Sequence, residues 1–350
     1  MRFWFFAVGA CLVLMGGCGG GDGQPNEEPK GLTGAQSYEI EVDGPSPQAE
    51  NLQYSAYFPG SVKARPGDTV VFRNRSNQAP HTITFGVSPD RSNGPIPVTA
   101  QGSFNPAVFG PCVTDSKPSP KLEACPTPSQ PGEPLPAYTG QGYWNSGILS
   151  PEVPGAPEDP KAPPKEVRIK LDASIAPGRY IYLCLLHGFM AGTVEVVDQG
   201  AERLAPEAVS EAGRDAFQQA QANAKSIPEP SAAKGTVTAG WGDKIVAVNR
   251  FDPQKITVKA GERVTWKPGS PYEPHTVTFE SAFKSPEAEG VPVPGGVPPG
   301  GQYAGGFAHS GIFGPKPFPV DSYSLTFTKP GTYPYICVLH PGMAGKVEVS

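Results

Sequence analysis

Blocks of basic residues are missing from this chain, which has 28 Lys and Arg against 33 Asp and Glu and a formal net charge of −5. This balance argues against a nucleic-acid ligand and against a polybasic membrane patch. Helical periodicity is also scarce. Proline (44) and glycine (43) are abundant, but prolines concentrate in 86–165, 226–230 and 286–300 and leave the strand-like runs clean. At 350 residues the chain is long enough for two domains with real cores.

One motif occurs twice in the sequence. Cys-x2-His-x2-Met is found at 184–190 and again at 337–343, and each copy has an upstream histidine in a Pro-His-Thr-x-Thr-Phe segment. A thiolate, two imidazoles and a thioether are the ligand set of a type 1 copper site. The motifs predict two sites: site 1 consists of His81, Cys184, His187 and Met190, and site 2 consists of His275, Cys337, His340 and Met343.

The two halves of the chain form an internal repeat. Gly67 and Gly261 each precede the upstream histidine by fourteen residues. Further on, Pro-Gly turns lead into both cysteine motifs, and each unit ends in Met-Ala-Gly-x-Val-Glu-Val. Short alternating or β-branched runs between Gly/Pro turns indicate a β-sandwich in each half. The fold class is therefore predicted to be all-β.

The N-terminus resembles a bacterial lipoprotein signal. Met1-Arg2 is followed by an apolar run from Phe3 to Met15, which is short for a membrane span, and then by Gly-Gly-Cys18. We therefore expect export and lipidation of Cys18, with an ordinary signal peptide as the alternative. Export would place the protein on the periplasmic or cell-surface face, anchored to the membrane, where disulfides can form.

The six cysteines can then be assigned. Cys11 lies inside the signal, Cys18 is the lipid site and two belong to the metal motifs. Cys112 and Cys125 remain, and they can form a disulfide that fastens a proline-rich insertion. Closing this short loop would contribute about 3 kcal/mol. A second metal site at this pair is the weaker alternative, since no histidine is near it in the sequence.

The domain boundaries follow from the repeat. Residues 202–225 are rich in Ala, Gln and Glu, with Pro206 placed as a first-turn proline, and predict one helix on a domain surface. The predicted segments are a signal peptide with lipobox (1–18), a flexible Gly/Pro tether (19–36), a first domain (37–199) with an insertion at about 86–141, a helical linker (200–234) and a second domain (235–350).

Both repeats resemble the cupredoxins, the plastocyanin- and amicyanin-like type 1 blue copper proteins. The resemblance covers roughly 50–197 and 240–350 and implies two tandem Greek-key β-sandwiches. It also implies that the edges of His187 and His340 lie near the surface as ports for electrons. Many members have Asn or Ser after the upstream histidine, where this chain has Thr82 and Thr276; a hydroxyl can make a similar contact.

The ligand sets predict an exported carrier with two copper ions that transfers single electrons between redox protein partners without a small-molecule substrate. The alternative is a periplasmic copper chaperone or store, but only two methionines lie outside the signal, both in the motifs. A multicopper enzyme would need more histidines than the five present. His309, the fifth, aligns with Asn145 and is predicted to be a surface or hydrogen-bonding residue. A further alternative is an adhesion or scaffold module in which the metal is only structural; Cys184→Ser and Cys337→Ser would then leave redox behaviour unaffected, because there would be none.

Overall fold

The computed structural model describes residues 32–47, 50–97, 104–125, 134–152, 159, 162–279, 295–314 and 320–350. The predicted signal peptide, Cys18 and residues 19–31 of the predicted tether lie outside these residues. Within them, no helix combines the length and the apolar character needed to cross a membrane.

The first half is built from short strands with alternating burial, which follow the β-branched and aromatic runs of the sequence. They are β1 (Ser37–Val42), β2 (Leu52–Tyr54), β3 (Tyr57–Phe58), β4 (Ser61–Ala64), β5 (Thr69–Asn74), β6 (Thr84–Phe85), β7 (Cys112–Thr114), β8 (Tyr143–Asn145), β9 (Glu166–Lys170), β10 (Gly178–Leu183) and β11 (Ala191–Val196). One sheet has the order β3-β1-β5-β9 and the other β4-β11-β10-β6-β8-β7. A short helix, α1 (Pro106–Phe109), lies in the insertion.

The second half repeats this arrangement. Its strands are β12 (Thr236–Gly242), β13 (Val246–Asp252), β14 (Lys255–Val258), β15 (Arg263–Pro268), β16 (Thr278–Phe279), β17 (Gln302–Tyr303), β18 (Ala308–His309), β19 (Tyr323–Phe327), β20 (Gly331–Ile336) and β21 (Ala344–Val349). Its sheets have the orders β17-β19-β15-β12-β13-β2 and β14-β21-β20-β16-β18. Each half packs an aromatic-rich core between its sheets. The predicted tandem β-sandwiches are confirmed.

Strand β2 belongs to the first half by sequence but to the second half by pairing. Leu52–Tyr54 joins the edge of the second half's sheet, antiparallel to β13. Around it lies a small hydrophobic core that draws on both halves, including Phe58, Trp241 and Val246. The two sandwiches therefore share a sheet and a core.

The predicted helix is present as α2 (Pro206–Ala224), with Pro206 in its first turn. Val209 is buried in the core of the first half. Phe217 makes edge-to-face contacts with Tyr54 and Phe58 at ring-centroid distances of 5.0 and 5.3 Å. The helix thus packs against both halves, on β1, β3 and β13, and not on one domain surface as its sparse apolar residues suggested.

The predicted disulfide between Cys112 and Cys125 is formed, with a Cα–Cα distance of 5.5 Å. Cys112 is buried together with Val108 and Tyr143 in a small cluster beside the first sandwich. The bridge therefore fixes the insertion to the sheet that also carries Cys184.

Candidate metal centres

Site 1 is assembled from two places in the first sandwich. His81 lies between β5 and β6 and is held by a backbone bridge to Leu149. Cys184 directly follows β10, and the turn before β11 brings back His187 and Met190. One ligand atom from each of His81, Cys184 and His187 lies within 4.8 Å of the other two. All three residues are buried, and so is Met190.

Site 2 has the same construction in the second sandwich. His275 is held by a bridge to Phe313, and the ligand loop follows β20. The ligand atoms of His275, Cys337 and His340 also lie within 4.8 Å of one another, and Met343 is buried in the same core. The structure therefore brings together the cysteine and both histidines that the sequence predicted for each site and buries both methionines in those cores.

The two-residue spacers of the motif are explained by the backbone of the ligand loop. In site 1 the Cys184 amide donates to the Met190 carbonyl at 3.0 Å, and the Met190 amide donates to the His187 carbonyl at 3.3 Å. The corresponding distances in site 2 are 2.9 and 3.2 Å. These bonds close a tight turn that brings the cysteine and the histidine of each motif together.

A threonine next to the upstream histidine fastens each ligand loop. The Thr82 hydroxyl accepts a hydrogen bond from the Leu185 amide at 2.9 Å, and the Thr82 amide donates to the Cys184 sulfur at 3.4 Å. The Thr276 hydroxyl accepts from the Val338 amide at 2.8 Å, and its amide donates to the Cys337 sulfur at 3.3 Å. Threonine thus makes the contact that we expected a hydroxyl to provide.

The orientation of the rings fits a metal ion. In both loops the histidine presents Nδ1 to the cysteine sulfur at 3.4 Å. Nδ1 of His81 and Nδ1 of His275 are buried without a hydrogen-bond partner in the described part of the chain. Because a buried ring nitrogen is normally satisfied, these atoms are accounted for by a ligand at the centre of each cluster. Imidazole nitrogen with soft sulfur is the donor set that suits copper.

Asp43 is a residue of site 1 that no motif in the sequence indicates. Nε2 of His81 donates to Asp43 Oδ2 at 3.0 Å, and both side chains are fully buried. The other carboxylate oxygen accepts from the amides of Gly44 (2.6 Å) and Tyr54 (2.7 Å). Three donors therefore point at the Asp43 carboxylate.

The equivalent position in site 2 is a glycine. Val42 pairs with Asn74 and Ala239 with Pro268, and each partner lies seven residues before its upstream histidine. Asp43 therefore corresponds to Gly240, which lies at a bulge in β12. A Cβ on Gly240 would lie 2.2 Å from Nε2 of His275, so the ring occupies the space of a side chain. Only the repeat alignment could have pointed to this pair of positions.

Glu273 crosses from the second half to site 1. This buried residue precedes the site 2 ligand His275 by two positions. Its Oε1 accepts from the Ser55 hydroxyl at 2.9 Å, and its Oε2 lies 3.9 Å from Nε2 of His187. Burial raises the pKa of the Glu273 carboxyl, and the His187 imidazole opposes this rise. No local pattern in the sequence indicates this contact.

The ionisation of the ligands differs between the sites. Burial alone would raise the pKa of the Cys184 thiol, but the His187 and His81 imidazoles hold it well below its usual range. Burial also opposes protonation of His81, yet the bond to Asp43 and the nearby Cys184 raise its pKa to about 9.

In site 2, burial raises the pKa of the Cys337 thiol and lowers the pKa of His275 to about 3. The pKa of His340 is also held well below its usual value, by burial and then by His275 and His187. Site 1 without metal thus favours charged ligands and site 2 favours neutral ones.

The outer edges of the loop histidines are covered, contrary to the expectation that they lie near the surface. His187 is 7% exposed and His340 is 4% exposed. Each ligand loop contacts the other half: the Phe189 ring meets Tyr272 at 5.1 Å, and a Cβ on Gly342 would lie 3.2 Å from the Asn51 side chain. The ends of the two sandwiches that carry the metal sites therefore lie against each other.

His309 is a buried hydrogen-bonding residue outside both metal clusters. Its Nδ1 is 2.7 Å from the hydroxyl of Thr278. In the first half, the Thr84 hydroxyl donates to Asn145 at 2.8 Å in the equivalent place. The prediction of a hydrogen-bonding role is confirmed, whereas a surface position is wrong.

Comparison with known proteins identifies a family for this chain. Residues 244–350 match the model of copper binding proteins of the plastocyanin/azurin family. The chain is 32% identical over 111 residues to amicyanin-alpha of Methylorubrum extorquens, which covers 32% of this chain and 73% of that protein. It is 34% identical over 101 residues to plastocyanin of Scenedesmus fuscus, covering 28% of this chain and 85% of that protein.

Among solved structures, a purple cupredoxin from Nitrosopumilus maritimus matches 33% of this chain and 98% of its own, with 19% identity and a TM-score of 0.22. A methionine-to-alanine mutant of amicyanin with Cu(I) matches 35% of this chain and 87% of its own, with 24% identity and a TM-score of 0.22. By its sequence relatives, this chain belongs to the plastocyanin/azurin family of copper binding proteins.

Proposed function

We propose that the chain holds two type 1 copper ions, one in each half, and carries single electrons between protein partners. The observation that carries the proposal is the presence of two buried His-Cys-His clusters with identical ligand loops. His81, Cys184, His187 and Met190 would hold one ion, and His275, Cys337, His340 and Met343 the other. A bound copper would supply a one-electron couple between Cu(II) and Cu(I).

The protein holds the ligands in fixed positions and excludes water from them. Backbone bonds within each loop and the threonine hydroxyls fix the cysteine and the histidine before the metal arrives. Burial of all four ligand types excludes water from the centre. A site that is already organised changes little when its charge changes, which is the requirement for rapid outer-sphere transfer.

The positions of the five histidines favour electron transfer over catalysis. Four of the five are in the two clusters, and His309 is engaged with Thr278. A copper store is disfavoured because both clusters lie in the cores and not in an exposed Met- or His-rich tract.

Copper loading tests the proposal. The soluble form without its signal, titrated with Cu(II), should bind two ions and develop strong thiolate-to-copper absorption. Cys184→Ser and Cys337→Ser should each halve both signals. His309→Asn, which installs the residue found in the first half, is the matched control and should keep two ions. A colourless protein, or copper that a chelator removes easily without a reversible one-electron wave, would contradict an electron carrier.

We further propose that the protein is exported and anchored through a lipid on Cys18, on the sequence pattern alone. Cys18→Ser should move the protein from the membrane fraction to the soluble fraction of the exported compartment. Unchanged membrane retention of this variant would refute the anchor.

A further inference from the structure

The two sites have the same ligands but different neighbours, and the difference is one of charge. His81 is bound to the Asp43 carboxylate, whereas His275 packs against Gly240. A second carboxylate, Glu273, lies 3.9 Å from the other loop histidine of site 1. Within the described part of the chain, no Asp or Glu is paired with His275 or His340.

A carboxylate on the outer nitrogen of a metal-binding imidazole makes that imidazole a stronger donor. It also favours the more positive oxidation state, because opposite charges attract strongly in a buried site. Site 2 has no such group, so its buried surroundings disfavour additional positive charge.

One positive charge opposes this effect. The Arg91 guanidinium is largely buried and donates to the backbone carbonyl of His187. It contacts the ligand loop through the main chain, while Asp43 contacts the ring of a ligand directly. We therefore expect the influence of Asp43 to dominate.

The sites are connected by a short route through protein. Glu273 contacts His187 and is two residues from His275 in the chain. The Phe189 ring of the site 1 loop also meets Tyr272 of the second half. Both loop histidines are buried, so this route runs through protein and not through bulk solvent.

We infer that Asp43 lowers the reduction potential of site 1 below that of site 2, so that an electron passes within the chain from the first centre to the second. With one copper held by His81, Cys184, His187 and Met190 and the other by the matching ligands of site 2, site 1 would lose one electron and site 2 would gain it, with no proton or group transferred. An external donor protein supplies the electron and an external acceptor removes it. The inference rests on the proposed two-copper function, and Asp43 acts as a positioning residue.

The potentials of the single sites test the inference. Cys337→Ser leaves site 1 and Cys184→Ser leaves site 2, and each can be titrated by its thiolate-to-copper absorption. Site 1 should have the lower potential. In the two-copper protein reduced by one electron, the remaining absorption should match that of the Cys337→Ser variant. A potential of site 1 equal to or above that of site 2 would overturn the proposal.

Asp43→Asn then identifies the cause. Asparagine keeps an oxygen for the Gly44 and Tyr54 amides but removes the charge, so the equilibrium constant for transfer should fall roughly tenfold, which is about 59 mV for one electron. The potential of site 2 should not move. Glu273→Gln, which leaves Asp43 in place, should shift the same constant in the same direction, and Arg91→Gln should shift it oppositely.

Asp68→Asn is the matched control. This buried carboxylate hydrogen-bonds the Gln36 amide and pairs with Arg203, outside both metal clusters. Its substitution should leave both potentials unchanged. If Asp43→Asn, shown to be folded and to hold two coppers, moves neither potential or moves both equally, the inference is wrong while the copper function stands. A wild-type protein that binds no copper would overturn both.

Discussion

His81 and His275 stand at equivalent positions of the repeat, yet the outer nitrogens of their rings meet different neighbours. The backbone φ angle is almost the same at the two neighbouring positions, 59° at Asp43 and 57° at Gly240. In the first half the Asp43 carboxylate binds the ring of His81. In the second half the ring of His275 occupies the space that a side chain at position 240 would need. The ligands determine which metal fits, whereas a residue on a separate strand determines the charge around it.

Placing at position 240 the aspartate found at position 43 should have the largest effect on copper binding. Gly240→Asp would put a side chain where even a Cβ comes within 2.2 Å of His275 Nε2, so the ring must move. We expect loss of copper from site 2 and retention in site 1, measured as one copper per chain. Gly261→Ala is the control, because this glycine also has a positive φ (90°) but open space around it. Two coppers in Gly240→Asp would show that the halves differ less than their geometry indicates.

Removing a contact between the helix and the two halves should lower the stability of both halves together. Phe217 is half-buried against Tyr54 and Phe58, and Phe217→Ala should lower the free energy of unfolding by about 2 kcal/mol. Urea unfolding followed by tryptophan fluorescence measures this value. Leu204→Ala, at a position 59% exposed, should change it little. An equal loss in both variants would mean that the helix does not hold the halves together.

The two upstream histidines should give the metal-free protein opposite pH dependences of stability. The pKa of His275 is lowered to about 3, so its contribution is complete above the unfolded pKa of about 6.5 and falls by about 1.4 kcal/mol per unit towards pH 3. The pKa of His81 is raised to about 9, so its contribution is complete below about 6.5 and is lost as the pH rises through 9.

Urea unfolding of the metal-free protein between pH 4 and pH 10 measures this difference. We expect His275→Gln to flatten the acid side of the profile and His81→Gln to flatten the alkaline side. A profile that both variants flatten on the same side would contradict the contrast between the sites.

The threonine contacts should give the smallest effects and the same effect in both halves. Thr82→Val and Thr276→Val each leave a loop amide without its hydroxyl acceptor, and each should lower the free energy of unfolding by about 1 kcal/mol. Thr82→Ser and Thr276→Ser keep the hydroxyl and should lose less. A clear inequality between Thr82→Val and Thr276→Val would extend the difference between the sites to their loops.

Much of each site could be predicted from the sequence because its ligands lie close together along the chain. Cys184, His187 and Met190 belong to one turn, and the spacing of that turn is set by local backbone bonds. The upstream histidines follow from the repeat. The strands were predictable for a similar reason, since alternation and Gly/Pro turns are local properties.

The neighbours of the sites depend on contacts between distant segments. Asp43 lies 38 residues from His81, and Glu273 reaches His187 across the two halves. Strand β2 pairs with a strand almost two hundred positions away. Nothing in the local pattern of these residues distinguishes them from ordinary polar or strand positions, so the covered histidine edges could not be foreseen.

The covered edges of His187 and His340 have a consequence for encounters between identical molecules. Two copies that collide in solution meet little of either ligand imidazole, because His187 is 7% exposed and His340 is 4% exposed. Electron self-exchange between oxidised and reduced copies should therefore be slow. In a mixed sample, magnetic resonance signals of the oxidised and reduced forms should therefore remain separate and not average.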